Sequence, residues 1–215
     1  MPIRFIQLVL SATLSFDASA YQIDWSEIDV GSNVKVYAGR VEGLDLVAFK
    51  GVDILHHSMT DIISVLSDIE KADQWINGMV EADIVEILGP TTRIDYNRQH
   101  LPWSLNDRDF VFKITTRLSD DRQQIIFDLA SVEHEQKPIR PNIVRGHLLK
   151  SYLKLRALAA NKTALEIMML ADPKGALPVW LVNLVNRQWA PNTINGLRNY
   201  LKQHYRPEIN TVDYR

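Results

Sequence analysis

The sequence predicts a single α+β domain in which a curved antiparallel sheet wraps around a long C-terminal helix. Three observations predict it. Residues 58–76 carry apolar side chains at three- and four-residue steps, about ninety residues after Gly78 alternate apolar with polar positions, and helical spacing returns from 178 to 203. With 215 residues, 46% hydrophobic and 23% charged, the chain can bury one substantial core. Nine Gly and nine Pro without a low-complexity run exclude a disordered or fibrous protein, and a net charge of -2 removes the electrostatic case for a nucleic-acid partner. The absence of cysteine excludes a disulfide framework, a thiolate metal site and a cysteine nucleophile.

The elements follow in order. Residues 1–20 read as a signal peptide: Arg4, an apolar stretch over 5–16 broken only by Gln7, Ser11, Thr13 and Ser15, then Ala18-Ser19-Ala20 as a small-residue cleavage site. The stretch is shorter than the roughly 20 apolar residues a membrane span needs. An amphipathic core helix is the competing reading. Cleavage after Ala20 would leave one domain over 21–215 outside the cytoplasm, most simply in a bacterial periplasm. Residues 24–28 suggest a helical turn and 33–40 a strand, with Val34, Val36 and Ala38 on one side. Residues 44–49 and 52–55 flank Gly51 and suggest one long strand bent or bulged at the glycine. The helix over 58–76 carries Ile62, Ile63, Leu66, Ile69, Ala72 and Trp75 and stops at Asn77-Gly78. Strands are expected at 80–88, 91–99, 110–118, 123–132, 143–157 and 164–171, joined by short turns into a meander. The last helix, 178–203, presents Trp180, Leu181, Leu184, Val185 and Leu197, and Pro191 should break it near Trp189-Ala190.

Three motifs carry the reading further. Leu101-Pro102-Trp103 followed by Asp107-Arg108-Asp109-Phe110-Val111, then Ala171-Asp172-Pro173-Lys174-Gly175, then Leu177-Pro178-Val179-Trp180-Leu181-Val182-Asn183-Leu184-Val185 resemble the START family of lipid-transfer domains in order and spacing. The likeness runs from about Trp25 to Tyr205. It implies a helix-grip fold holding one sterol, phospholipid or other hydrophobic molecule in a tunnel under the C-terminal helix. It implies a carrier without a cofactor, in transient contact with a membrane surface.

Strand parity names the lining. If Phe110 points inward, Phe112, Ile114 and Thr116 follow it, and by the same rule Ile125, Phe127 and Leu129, then Leu165, Ile167 and Met169, share that face. The expected ligand-binding set is Asp95, Phe112, Ile114, Phe127, Leu129, Ile167, Met169, Leu181, Leu184 and Val185. Pattern alone favours a filled core over a cavity, and the resemblance reverses that preference. In the sterol-transfer branch of the family a buried carboxylate pairs with an arginine; the matching positions here are Asp95 and Ile114, so the carboxylate is present and the arginine is not. Arg93 and the more distant Arg145 are the candidate substitutes, and Asp95 on the solvent face is the alternative. Arg108-Asp109 reads as an ion pair or cap at the start of its strand.

Two other functions compete. A cyclase or aromatase of the wider superfamily would need an acid or base from Asp95, Tyr96, His100 or His147. A ligand-sensing module would offer 21–30 or 205–215 to a protein partner. The six histidines show no metal-ligand spacing, and neither a Gly-x-Ser-x-Gly elbow nor a Gly-rich phosphate loop occurs.

Overall fold

The computed structural model describes residues 21–101 and 105–205; the expected leader at 1–20 and Trp103 lie outside them. Among the described residues ten strands are present: β1 (Ile23–Ile28), β2 (Lys35–Val41), β3 (Val47–Leu55), β4 (Met79–Gly89), β5 (Thr92–Gln99), β6 (Asp107–Leu118), β7 (Gln124–Ser131), β8 (Ile143–Arg145), β9 (His147–Ala159) and β10 (Lys162–Asp172). They run in the order β1-β2-β3-β10-β9-β7-β6-β5-β4, antiparallel throughout, with β8 off this path and parallel to β6. The order is more than a meander, because β10 closes the gap between β3 and β9. Helix α1 (Met59–Ser67) follows β3, and α2 (Val179–Asn186) and α3 (Trp189–His204) follow β10. The curved sheet gripping a C-terminal helix is therefore the observed architecture.

Several elements differ from expectation for identifiable reasons. Residues 24–28 form strand, not a helical turn: Trp25 packs its ring over Gly39 of β2, where any Cβ would lie 2.8 Å from the indole. Gly51 makes no bulge. It keeps register with both neighbours and serves close approach, since a Cβ there would meet Ala190 at 2.9 Å and Ile194 at 3.0 Å. The early helix is capped by a reciprocal Ser58–Asp61 box but leaves helical geometry at Asp68, then continues as a 3₁₀ turn (Ile69–Gln74). The strand over 143–157 divides at Gly146, on which the Phe110 ring rests. The C-terminal helix breaks at Arg187-Gln188, two residues earlier than expected. Pro191 sits in the first turn of α3, where no N–H is needed, and the bond it cannot donate is the one that would have joined the helices.

The pairing register aligns inner-face residues in rows across the sheet. One row is Leu118–Ile125–Leu155–Leu165–Asp53, and the next is Thr116–Phe127–Leu153–Ile167–Gly51–Val36. On these rows α3 and α1 settle, burying Ala190, Ile194, Leu197 and Leu201 with Ile62 and Val65 in the main core. Asp53 meets Arg198 of α3 in an ion pair within this layer. A methyl group at Gly196 would overlap the Trp75 carbonyl oxygen, so α3 is also wedged against the chain that leads to β4.

Candidate functional site

Two further rows lie nearer the other end of the strands. Arg93–Ile114–Leu129–Ser151–Met169–Phe49 is one; Asp95–Phe112–Ser131 is the other, continued by Leu148 and Ala171, which pair with each other. A register shift between Leu170 and Ala171 turns Leu148 inward. These rows form a separate apolar cluster of Phe110, Phe112, Leu148 and Ala171 with Ile114, Leu129 and Met169 against it. Among the described residues no helix side chain belongs to that cluster.

The predicted lining residues thus divide. Asp95, Phe112, Ile114, Leu129 and Met169 share the helix-free rows, whereas Phe127 and Ile167 pack against the core beneath α3. Of the α2 residues, Leu181 is half-buried, while Leu184 and Val185 are 55% and 52% exposed and the neighbouring Trp180 is 68% exposed. The side of α2 held to the body is made by Val182, which is buried, and by Asn183. The Asn183 Oδ1 accepts from the Val47 N–H at 3.1 Å, and its Nδ2 donates to the Asp45 carbonyl at 3.3 Å. The two described hollows, about 470 and 220 Å³, lie at the β1–β2 edge and include none of the predicted lining residues.

Register settles the side on which Asp95 lies. It is opposite Phe112, on the inner face, and 2% exposed. Arg93 supplies its partner: Nε donates to Oδ2 at 3.1 Å and Nη2 lies 2.9 Å from the same oxygen. Arg93 is directly across from Ile114, so the guanidinium absent from that position of β6 arrives from the adjacent strand. Arg145 is not involved; it holds Asp109 on the outer face at 2.8 and 3.0 Å. Burial pushes the Asp95 carboxyl above its ordinary range, with Arg93 pulling the other way. Its Oδ1 has no partner among the described residues, and neither does the buried Oδ1 of Asn97, the next inner-face residue on β5. Two adjacent acceptors without donors suit a ligand that brings an O–H or N–H. Asn97 shares the parity of Asp95, but the resemblance that singled out Asp95 does not mark it, and an amide gives no signal until its surroundings are known to be dry.

Arg108 and Asp109 do not pair with each other, since successive strand residues point to opposite faces. Arg108 points inward, is 4% exposed, and donates to the carbonyls of Asn106 at 2.6 Å, Lys174 at 3.2 Å and Pro173 at 3.3 Å. The acid–base candidates other than Asp95 lie elsewhere. Tyr96 is on the outer face, bonded to Arg140, with burial raising its phenol to about 12; His100 and His147 are exposed, and His100 bonds Asp107.

The comparisons with known proteins agree with this fold. A family model described as START domain matches residues 11–206. An uncharacterized protein of Pseudomonas aeruginosa is 24% identical over 195 residues, spanning 89% of this chain and 94% of its own. The phosphatidylcholine transfer protein of Mus musculus is 25% identical over 185 residues, 83% of this chain and 81% of that protein. Among solved structures, a STAR-related lipid transfer protein fragment from Xanthomonas axonopodis superposes with a TM-score of 0.73 at 27% identity, covering 83% of this chain and 99% of that one. Matched along nearly all its described length and built on the same gripped-helix fold, this chain belongs to the START domain family.

Proposed function

We propose that the protein binds one lipid or comparable hydrophobic molecule against the inner face of β5–β7 and carries it between membranes without altering it. The observation that carries this reading is the helix-free apolar cluster around Phe110 and Phe112, together with a helix, α2, whose Val179, Trp180, Leu184 and Val185 are exposed. Moving a lipid chain into water costs about 0.8 kcal/mol per CH₂, so a sixteen-carbon chain faces roughly 12 kcal/mol unless an apolar surface receives it. The proposed path is displacement of α2, after which Phe112, Ile114, Leu129 and Met169 line the ligand from below and Leu181 and Val185 from above. The Asp95 and Asn97 oxygens would accept from an O–H or N–H where the ligand carries one. The relatives' names support the class of ligand, and the exposed indole of Trp180 suits a membrane interface. Residues 1–20 support export to the periplasm as the place of action.

The test is transfer. Delipidated protein mixed with donor vesicles carrying fluorescent phosphatidylcholine and unlabelled acceptors should accelerate exchange, and native mass spectrometry should then show one lipid per chain with its mass unchanged. No acceleration and no adduct with phosphatidylcholine, a sterol or a fatty acid would refute the carrier; a changed mass would identify an enzyme.

A further inference from the structure

Arg108 differs from the other inner-face cations. Arg93 has Asp95 and Arg198 has Asp53, but no carboxylate lies within ion-pair reach of Arg108 among the described residues. The undescribed residues nearest in sequence, Pro102, Trp103 and Ser104, bring none. Burial holds the guanidinium below its ordinary value, and no neighbouring acid opposes that effect. A guanidinium has five N–H donors, and the three carbonyl bonds leave donors over. Tying two loops together needs donors, which a neutral amide also provides; burying a full charge without a counter-ion is costly and adds nothing to that task. The position is also specific. Arg108 opens the inner face of β6, two residues before Phe110, and touches the 173–175 turn that leads into α2. Gly175, at φ +78°, faces it, and a Cβ there would stand 3.2 Å from Nη2 and 3.6 Å from the Val144 side chain, so the glycine keeps the space beside the guanidinium clear.

We propose that Arg108 anchors the single anionic head group of the ligand, a carboxylate or a phosphate, with the apolar chain running from it over Phe110, Phe112 and Ile114. The anion takes the place of the Pro173 and Lys174 carbonyls as a charged, bidentate acceptor, and so frees the turn that leads into α2. This rests on the lipid-binding reading and narrows its ligand to anionic amphiphiles.

The experiment displaces a polarity-sensitive dye from the delipidated full chain with matched pairs: palmitate against hexadecanol, and dipalmitoyl phosphatidic acid against dipalmitoylglycerol. The anionic member of at least one pair should bind about tenfold tighter or better. A preference in the first pair alone identifies a fatty acid, in the second a phospholipid, and either supports the anchor. Arg108→Gln should bring the members of the preferred pair within about twofold of each other, and Arg108→Lys, which keeps the charge and loses the fork, should retain part of the preference. Should the Gln variant not fold, the wild-type ratio and the Lys variant still decide. Equal affinities within both pairs would overturn the anchor and leave lipid binding intact; no displacement by any of the four would overturn both.

Discussion

Helices α2 and α3 stand two residues apart and face the same sheet, yet they are attached in different ways. Along α3, Ala190, Ile194, Leu197 and Leu201 are fully buried, Gly51 and Gly196 remove the side chains that would hold the surfaces apart, and Arg198 reaches Asp53. Along α2, Val182 is buried, Asn183 makes two bonds to backbone, and four large apolar side chains face outward. The sheet beneath repeats the contrast: the rows of Ile125 and Phe127 pack in one cluster with α3, and the rows of Ile114 and Phe112 form a cluster that no apolar helix side chain among the described residues joins. One end of the inner face stabilises the fold. The other is the face on which the proposed ligand would lie.

Substitutions should separate the two ends, the largest effects falling under α3. Truncating Ile194 to Ala should cost about 3 to 4 kcal/mol in urea unfolding, whereas Leu129→Ala, half-buried on the helix-free rows, should cost less than about 2 kcal/mol. Equal losses would break the comparison. Gly196→Ala forces a methyl into the Trp75 carbonyl and should destabilise by about 2 to 3 kcal/mol without changing ligand affinity in the folded fraction. At the other end, Asp95→Ala should weaken a hydroxylated ligand by about 1 to 3 kcal/mol in displacement titrations and leave its apolar analogue unaffected; the same loss for both would remove Asp95 from the site.

A smaller effect is expected from pH. His57, buried between β3 and α1 with Nδ1 unpartnered, faces His56, Asp61 and Lys202, and burial lowers its folded-state value below the usual 6.5. Between that lowered value and 6.5 the unfolded chain binds more protons than the folded one. Stability should therefore fall as the solution is acidified through that window, and His57→Gln should flatten the slope of unfolding free energy against pH. An unchanged slope would place the titrating group elsewhere. The smallest change in stability is expected at α2, where Trp180→Ser and Leu184→Ser should stay within about 0.5 kcal/mol of wild type while slowing vesicle transfer.

The parity of β6 and β7 was legible because period-two alternation survives burial: Phe110 facing inward carried Phe112, Ile114, Ile125 and Leu129 with it. Asp95 needed its pairing to Phe112 before its face was known, since a carboxylate at either face fits the pattern. The division into filled and helix-free rows was not legible at all. Ile167 and Met169 have the same parity and similar size, and what separates them is where α3 docks, which depends on contacts distant in sequence with Gly51 and Trp75. The break between α2 and α3 was misplaced by two residues because proline's missing bond is felt one turn upstream of the ring.

A photoactivatable lipid tests the central claim most directly. Phosphatidylcholine carrying a diazirine midway along one acyl chain, bound to the full chain and irradiated, should give one adduct per protein, mapped by mass spectrometry to peptides containing Phe112, Ile114, Leu129 or Met169 and to α2. Adducts confined to α3 or to the β1–β2 edge, or no adduct while other lipids bind elsewhere, would contradict it.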